Sequence, residues 1–321
     1  MPAFAGTTSR HTYTPHHHHS IEATLNSVLT IMAGAVRGLG DDMLSAARAA
    51  LIEAGAKVGA ADWLAPGQAV DLLFDKLDPA TAERALRARF VGSALDLAAQ
   101  PAQNRRKKLL VADMESTIIT RELLNELAVM AGIGPKVIPI TERSMRGEID
   151  FAQSLRERVA LLQGFPASLL ERVADLIEPT SGARILVQTM RAHGAYTALV
   201  SGGFDCFTRL AAQLIGMDEH HANHLVVDGT RLAGRVTEPI LDPAGKKNSL
   251  LALAAARGID AEDAAAVGDG ANDIPMLLAA GIGAAFRGKP VVAAAARFRL
   301  DHVDLTGLLY LQGYHASEFR E

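Results

Sequence analysis

Two apolar patterns divide the chain. From Lys108 onward, short runs such as "KLLVADM", "AYTALVS", "DAAAVGD" and "GIGAAF" carry almost no polar alternation. That pattern predicts strands buried on both faces, hence a parallel sheet flanked by helices. Helical stretches separate the runs: a long one through about Leu176, then "FTRLAAQLIG", "DIPMLLAA" and "PVVAAAA". Residues 21–100 read differently. "NSVLTIMA" predicts a strand, and "GDDMLSAARAALIEAGA" a helix that opens on Asp41-Asp42 and closes at Gly55. "KVGAADWLAPGQAVDLLFD" predicts two strands around Pro66-Gly67, and "DPATAERALRARF" a second helix. The result is a βαββα module of α+β type, with Gln100–Asn104 as the linker to an α/β unit over residues 105–321. Residues 1–20 show no periodicity and hold five of the 11 histidines, so a disordered tail is expected there.

Composition narrows the class without naming it. The chain has 321 residues, 49% of them hydrophobic and 21% charged, the balance of a folded α/β protein. A net charge of −4 argues against nucleic acid or an anionic membrane as principal partner. No apolar run reaches the length of a membrane span, and the single cysteine, Cys206, suits a reducing compartment. The expected location is therefore cytoplasmic, and a homodimer is compatible with all of this. The local exception in charge, Arg105-Arg106-Lys107-Lys108, reads as a solvated strand entry.

Chemistry concentrates at three strand ends: "ADMEST", "VSGGFD" and "VGDGAND". In a parallel sheet, ligands bind at the carboxyl ends of strands, where Asp113, Ser201 and Asp269 all fall. Asp113 and Asp269 together make an oxygen-rich site for Mg²⁺ and a phosphate. Ser201 and Gly202, at a strand-to-helix turn, can cradle phosphate oxygens, and Lys246 can supply positive charge to a phosphoryl group. Asp113 and Glu115 stand two residues apart and repel each other, which a nucleophile and a proton carrier would put to use. A carboxylate needs no deprotonation to attack phosphorus. The leaving oxygen does need a proton, and the water that follows must lose one.

In combination, "DMEST", "SGGFD", Lys246 and "GDGAND" resemble the four motifs of the haloacid-dehalogenase-like phosphatases. The inserted "MRGEIDFAQSLRERVALL" is similar to the cap of the phosphoserine-hydrolysing branch. The resemblance covers about residues 108–310 and implies a Rossmann-like core with a small helical cap at about 122–180. It further implies Mg²⁺ dependence and hydrolysis of O-phospho-L-serine, the closing step of serine biosynthesis, through an aspartyl-phosphate. By that resemblance Asp113 is nucleophile and metal ligand, and Glu115 is the general acid and base with its backbone carbonyl on the metal. Asp269 is the further metal ligand, with Asn272 and Asp273 as polar residues behind it. Glu122 matches the holder of the substrate amine and Arg158 that of its carboxylate, while Met145 and Phe151 match apolar cap contacts. Ser201, Gly202 and Lys246 match phosphate binders. The family usually has aspartate where this chain has Glu115, one methylene longer. N-terminal modules in the family can resemble amino-acid-binding regulatory, ACT-like, domains, which the βαββα order is compatible with.

Other readings stay open at this point. The same core serves phosphotransferases and phosphatases of other small esters, and a non-catalytic amino-acid or phosphate sensor is a different class again. His220, His221 and His224 in "EHHANH" read as a surface connection rather than a zinc site, and Cys206 as a packed thiol.

Overall fold

The computed structural model describes residues 25–34, 38–145 and 148–321, and the tail expected over residues 1–20 lies outside them. The N-terminal module runs β1 (Ser27–Ala33), α1 (Asp41–Glu53), β2 (Lys57–Ala65), β3 (Ala69–Asp75), α2 (Pro79–Arg89) and β4 (Leu95–Pro101). Its antiparallel sheet has the order β2-β3-β1-β4, the ferredoxin-like arrangement. The closing strand β4 corrects the βαββα reading to βαββαβ, and it takes in Gln100 and Pro101, which the sequence places in a linker.

A period of two assigns the two faces of this sheet. Leu29, Ile31, Val70, Leu72, Phe74, Leu95, Leu97 and Ala99 pack with residues of α1 and α2. The alternate positions face the rest of the chain, where Met32, Ala69 and Ala98 join the main core. The polar residues of the same face close the joint. Asp96 accepts the backbone N–H groups of Asp301, His302 and Val303 at 2.9–3.0 Å. Gln100 donates to the Leu311 carbonyl. Arg105 reaches Asp71 and Thr30 on one side and the carbonyls of Tyr310 and Leu311 on the other. The basic run is a solvated entry only in part: Arg106 and Lys108 are exposed, but Arg105 is a partly buried cross-brace, and Lys107 is buried with its ammonium on the Asn104 and Glu262 carbonyls. Among the described residues, Arg105→Ala would leave the Asp71 carboxylate, 4% exposed, with the Thr30 hydroxyl as its one side-chain partner. We expect a loss of about 3 kcal/mol in urea unfolding, at the low end for a broken buried ion pair because that hydroxyl remains.

The second unit contains β5 (Leu109–Ala112), α3 (Leu123–Met130), α4 (Gly134–Met145), α5 (Phe151–Ala160), α6 (Ser168–Ala174) and α7 (Ala183–Ala192). Then come β6 (Tyr196–Phe204), α8 (Asp205–Ile215), β7 (Glu219–Asn223), β8 (Leu225–Asp228), β9 (Arg231–Val236) and α9 (Pro243–Ala256). It ends with β10 (Ala264–Gly268), α10 (Ile274–Ala279), β11 (Ile282–Phe286), α11 (Pro290–Ala295), β12 (Phe298–Leu300) and α12 (Gly307–Leu311). Six strands form a parallel sheet of order β12-β11-β10-β5-β6-β7. Strands β5, β10 and β11 are buried along their whole length, as the unbroken apolar runs require. Helices α3 to α6 form the insertion between β5 and α7. The hairpin β8-β9 braces that insertion, with Leu232 exchanging backbone hydrogen bonds with Gly164 and Phe165. Residues 219–223 are an edge strand, not a surface connection: His220 meets the Thr208 hydroxyl and His224 meets Asp205. Among the described residues no helix is long and apolar enough to cross a membrane.

Candidate active site

Strand β5 lies between β10 and β6, so one sheet edge gathers the ends of all three. Asp113 follows β5, and its N–H donates to Val267 of β10. The chain then turns out of the sheet: Glu115 stays extended and Ser116 takes a left-handed conformation with φ 54°. A non-glycine residue holds that conformation only where its surroundings enforce it. Here the turn points two acids at one space. The Leu123 N–H donates to Glu115 Oε1 (2.7 Å), and the Ser116 hydroxyl donates to Glu122 Oε1 (2.7 Å).

Lys246, on the first turn of α9, is only 1% exposed. Its Nζ lies 2.6 Å from Asp113 Oδ1 and 2.7 Å from Asp273 Oδ1. Asp273 Oδ2 accepts the Gly270 N–H (3.0 Å), so both its oxygens are engaged. Asp113 Oδ1 also accepts the Met114 N–H at 2.7 Å, while Oδ2 has no hydrogen bond among the described residues. Asp269 meets the Thr117 hydroxyl at 3.5 Å and the Lys289 ammonium at 3.6 Å. At the end of β6, Ser201 Oγ accepts the Gly203 N–H (3.0 Å), and Asn223 donates to the Gly202 carbonyl (2.9 Å).

Asp113, Glu115 and Glu122, with Ser201, Gly202 and Asp269, line one cavity of about 110 Å³. Core residues Asp113, Glu115, Ser201, Gly202, Asp269 and Asn272 form its floor, and Glu122, Phe151 and Arg158 come from the insertion. Of the residues singled out in the sequence, the cavity gathers nine. Lys246 and Asp273 are not among its lining residues; Lys246 pairs with both Asp113 and Asp273. Met145 ends α4, and its side chain lies outside the described residues. Five lining residues, Leu124, Leu155, Gly203, Gly270 and Lys289, were not singled out in the sequence, and two of them bear on the chemistry. Gly203 is one: a Cβ there would lie 3.1 Å from Glu115 Oε2. Lys289 is the other, and its signal was available, since it follows the buried strand β11 at the same sheet edge as Asp113 and Asp269. Phe151 packs against Gly202 so closely that a Cβ at 202 would come within 2.6 Å of its ring.

Burial dominates the electrostatics. It pushes the Asp113 carboxyl well up, Asp273 adds to the rise, and Lys246 opposes it. Burial and then the Glu122 charge push Glu115 up to about 7, against the Leu123 N–H. Burial likewise raises Asp269 to about 6, with Lys289 opposing. Burial works against the Lys246 ammonium, but Asp113 and Asp273 hold it above the usual lysine range. Burial also pushes the Cys206 thiol up to about 11, the behaviour of a packed cysteine rather than a nucleophile.

The donor set fits a hard divalent cation. Oxygens of Asp113, Asp269 and Asp273 lie within 4.8 Å of one another, all three residues buried. One buried ammonium leaves that trio short of about two positive charges, and carboxylate oxygen is the ligand such cations prefer.

A family model described as haloacid dehalogenase-like hydrolase matches residues 110–278, the stretch that carries every floor residue of the cavity. The chain belongs to the haloacid dehalogenase-like hydrolases. Among relatives of this hydrolase is a phosphoserine phosphatase of Archaeoglobus fulgidus, 41% identical over 233 residues, which are 72% of this chain and 68% of that one. The chain spans about half to two-thirds of the length of several other curated relatives. A solved HAD family hydrolase from Salmonella enterica serovar Typhi superposes with a TM-score of 0.77 at 28% identity, over 89% of this chain and 98% of that one. A phosphoserine phosphatase solved as a phospho-aspartyl intermediate analogue gives a TM-score of 0.61 at 38% identity, over 64% of this chain and 98% of its own.

Proposed function

We propose that this hydrolase cleaves O-phospho-L-serine to L-serine and phosphate through an aspartyl-phosphate on Asp113, with Mg²⁺ bound. One observation carries the reading: Arg158 and Glu122 line the same small cavity as Asp113 and Glu115. A guanidinium for a carboxylate and a carboxylate for an ammonium, set across from a phosphate pole, describe a phosphorylated amino acid. The named activities of the archaeal relative and of the solved intermediate analogue support it.

The chemistry divides among the residues. Asp113 attacks phosphorus, and the new P–O bond forms as the bond to the serine oxygen breaks. Glu115 gives its proton to that oxygen. It then takes a proton from the water that attacks the phospho-aspartate, returning Asp113 to its free form. A carboxyl poised at about 7 is populated in both states near neutrality, which suits a group that must do both. Asp113, Asp269 and the Glu115 carbonyl would hold the Mg²⁺, which supplies positive charge against the phosphate oxygens. Lys246 holds Asp113 in place, and the Ser201 hydroxyl, itself accepting from the Gly203 N–H, offers a donor to the phosphate. The proposal extends to a cytoplasmic setting, with neither nucleic acid nor membrane as partner, acting as one chain or as a homodimer.

Phosphate release from O-phospho-L-serine, phosphothreonine, a sugar phosphate and an aryl phosphate, with and without Mg²⁺, tests the reading. Turnover should favour phosphoserine and disappear with a chelator. Turnover of the aryl ester alone would remove the amino-acid assignment. Arg158→Ala should cut kcat/KM for phosphoserine about 10²-fold, mainly through KM, and leave aryl phosphate hydrolysis nearly unchanged. Equal loss on both esters would mean Arg158 does not read the substrate carboxylate.

A further inference from the structure

We infer that Lys289 is a displaceable competitor for the metal, a positioning residue that tethers Asp269 and sets how tightly a divalent ion binds. The inference rests on the metal site proposed above. Lys289 is tied to Asp269 twice: its N–H donates to the Asp269 carbonyl (3.1 Å), and its ammonium lies 3.6 Å from Asp269 Oδ2. The short loop that carries it is held from the other side as well. Arg287 sits in a left-handed conformation, φ 46°, and its N–H donates to Leu300 of β12 (2.9 Å). A loop held at both ends places its lysine on purpose, at the cavity wall.

The two lysines near the carboxylate cluster differ in one decisive respect. Lys246 is locked between Asp113 and Asp273 at 1% exposure, so an arriving cation cannot displace it. The Lys289 side chain is 48% exposed, and among the described residues its ion pair is with Asp269. It can swing into water at small cost, because a half-exposed ion pair is weak. An ammonium and a divalent ion cannot share the same carboxylate oxygens without strong repulsion. Lys289 therefore gives Asp269 a partner before metal arrives, and lowers the affinity of the metal that replaces it. The ion becomes exchangeable rather than permanent.

Calorimetric titration of the full chain with Mg²⁺ alone, without substrate, tests this. Lys289→Met should bind Mg²⁺ roughly tenfold more tightly than wild type at low salt, the scale of removing a unit charge beside a ligand of a divalent ion. The gap should shrink as salt is raised. Lys289→Arg, which keeps the charge, should stay within about twofold of wild type. Equal or weaker Mg²⁺ binding by both Lys289→Met and Lys289→Gln would overturn the inference, since mere loss of a structural contact weakens a site and does not tighten it. Wild-type protein that bound no Mg²⁺ would instead overturn the metal site, and this inference with it.

Discussion

Asp113→Asn should yield a folded protein whose phosphate release is reduced by about 10⁴-fold or more. An amide has no lone pair basic enough to attack phosphorus, so the covalent route closes. The shape of the site survives, because the amide oxygen can still accept from the Met114 N–H and from Lys246. Stability should hold or rise. The wild-type carboxylate is a desolvated charge, pushed up by burial, and Lys246 keeps Asp273 when Asp113 becomes neutral. Phosphate release and a thermal melt in metal-free buffer read both halves. A variant within about tenfold of wild-type turnover, some 1.4 kcal/mol in barrier, would place the nucleophile elsewhere.

Lys246→Met should have the opposite profile, costing stability as well as activity. The ammonium is the one buried positive charge among Asp113, Asp269 and Asp273 within the described residues, and both its partners are buried. Removing it leaves uncompensated carboxylates, at a cost of about 3–5 kcal/mol in unfolding free energy. Turnover should fall about 10²- to 10³-fold, because Asp113 loses its anchor and the phosphate loses a nearby charge. Added Mg²⁺ should restore part of the stability and little of the activity, since a divalent ion neutralises the carboxylates but does not reproduce the lysine's hydrogen bonds. Unfolding curves with and without Mg²⁺ decide the matter. Wild-type stability in the metal-free variant would show that the carboxylates take up protons and need no cation.

What could be read in advance follows from where the information sits. The floor of the site was legible because a parallel sheet sends its strand ends to one edge, and "ADMEST", "VSGGFD" and "VGDGAND" each end an apolar run. Strand β4 was not, because Asp96 and Gln100 interrupt "LDLAAQP" with polar groups. Their partners, the backbone around Asp301–Val303 and Leu311, lie some two hundred residues away in sequence. Arg105 misled for the same reason: a charged run looks solvated until Asp71 and the carbonyls of α12 are in view. The histidines of β7 look like loop residues because an edge strand with half-buried side chains lacks a clean apolar signature. Lys289 carries no motif at all. Its place after the buried strand β11 was the available signal, and the backbone bond to Asp269 gives that place its meaning.

The contact between Phe151 and Gly202 carries a kinetic consequence. The Phe151 ring presses on the β6 backbone beside a space of about 110 Å³ whose wall the insertion supplies in part. On the proposed reaction we expect α5 to lift and return in each cycle, once to admit the ester and once to let the alcohol and inorganic phosphate go. Such gating moves on the microsecond-to-millisecond scale and often limits turnover in place of bond-making. On that account kcat should slow as solvent viscosity is raised. Trimming the Phe151 ring would then trade protection of the phospho-aspartate from stray water for faster escape.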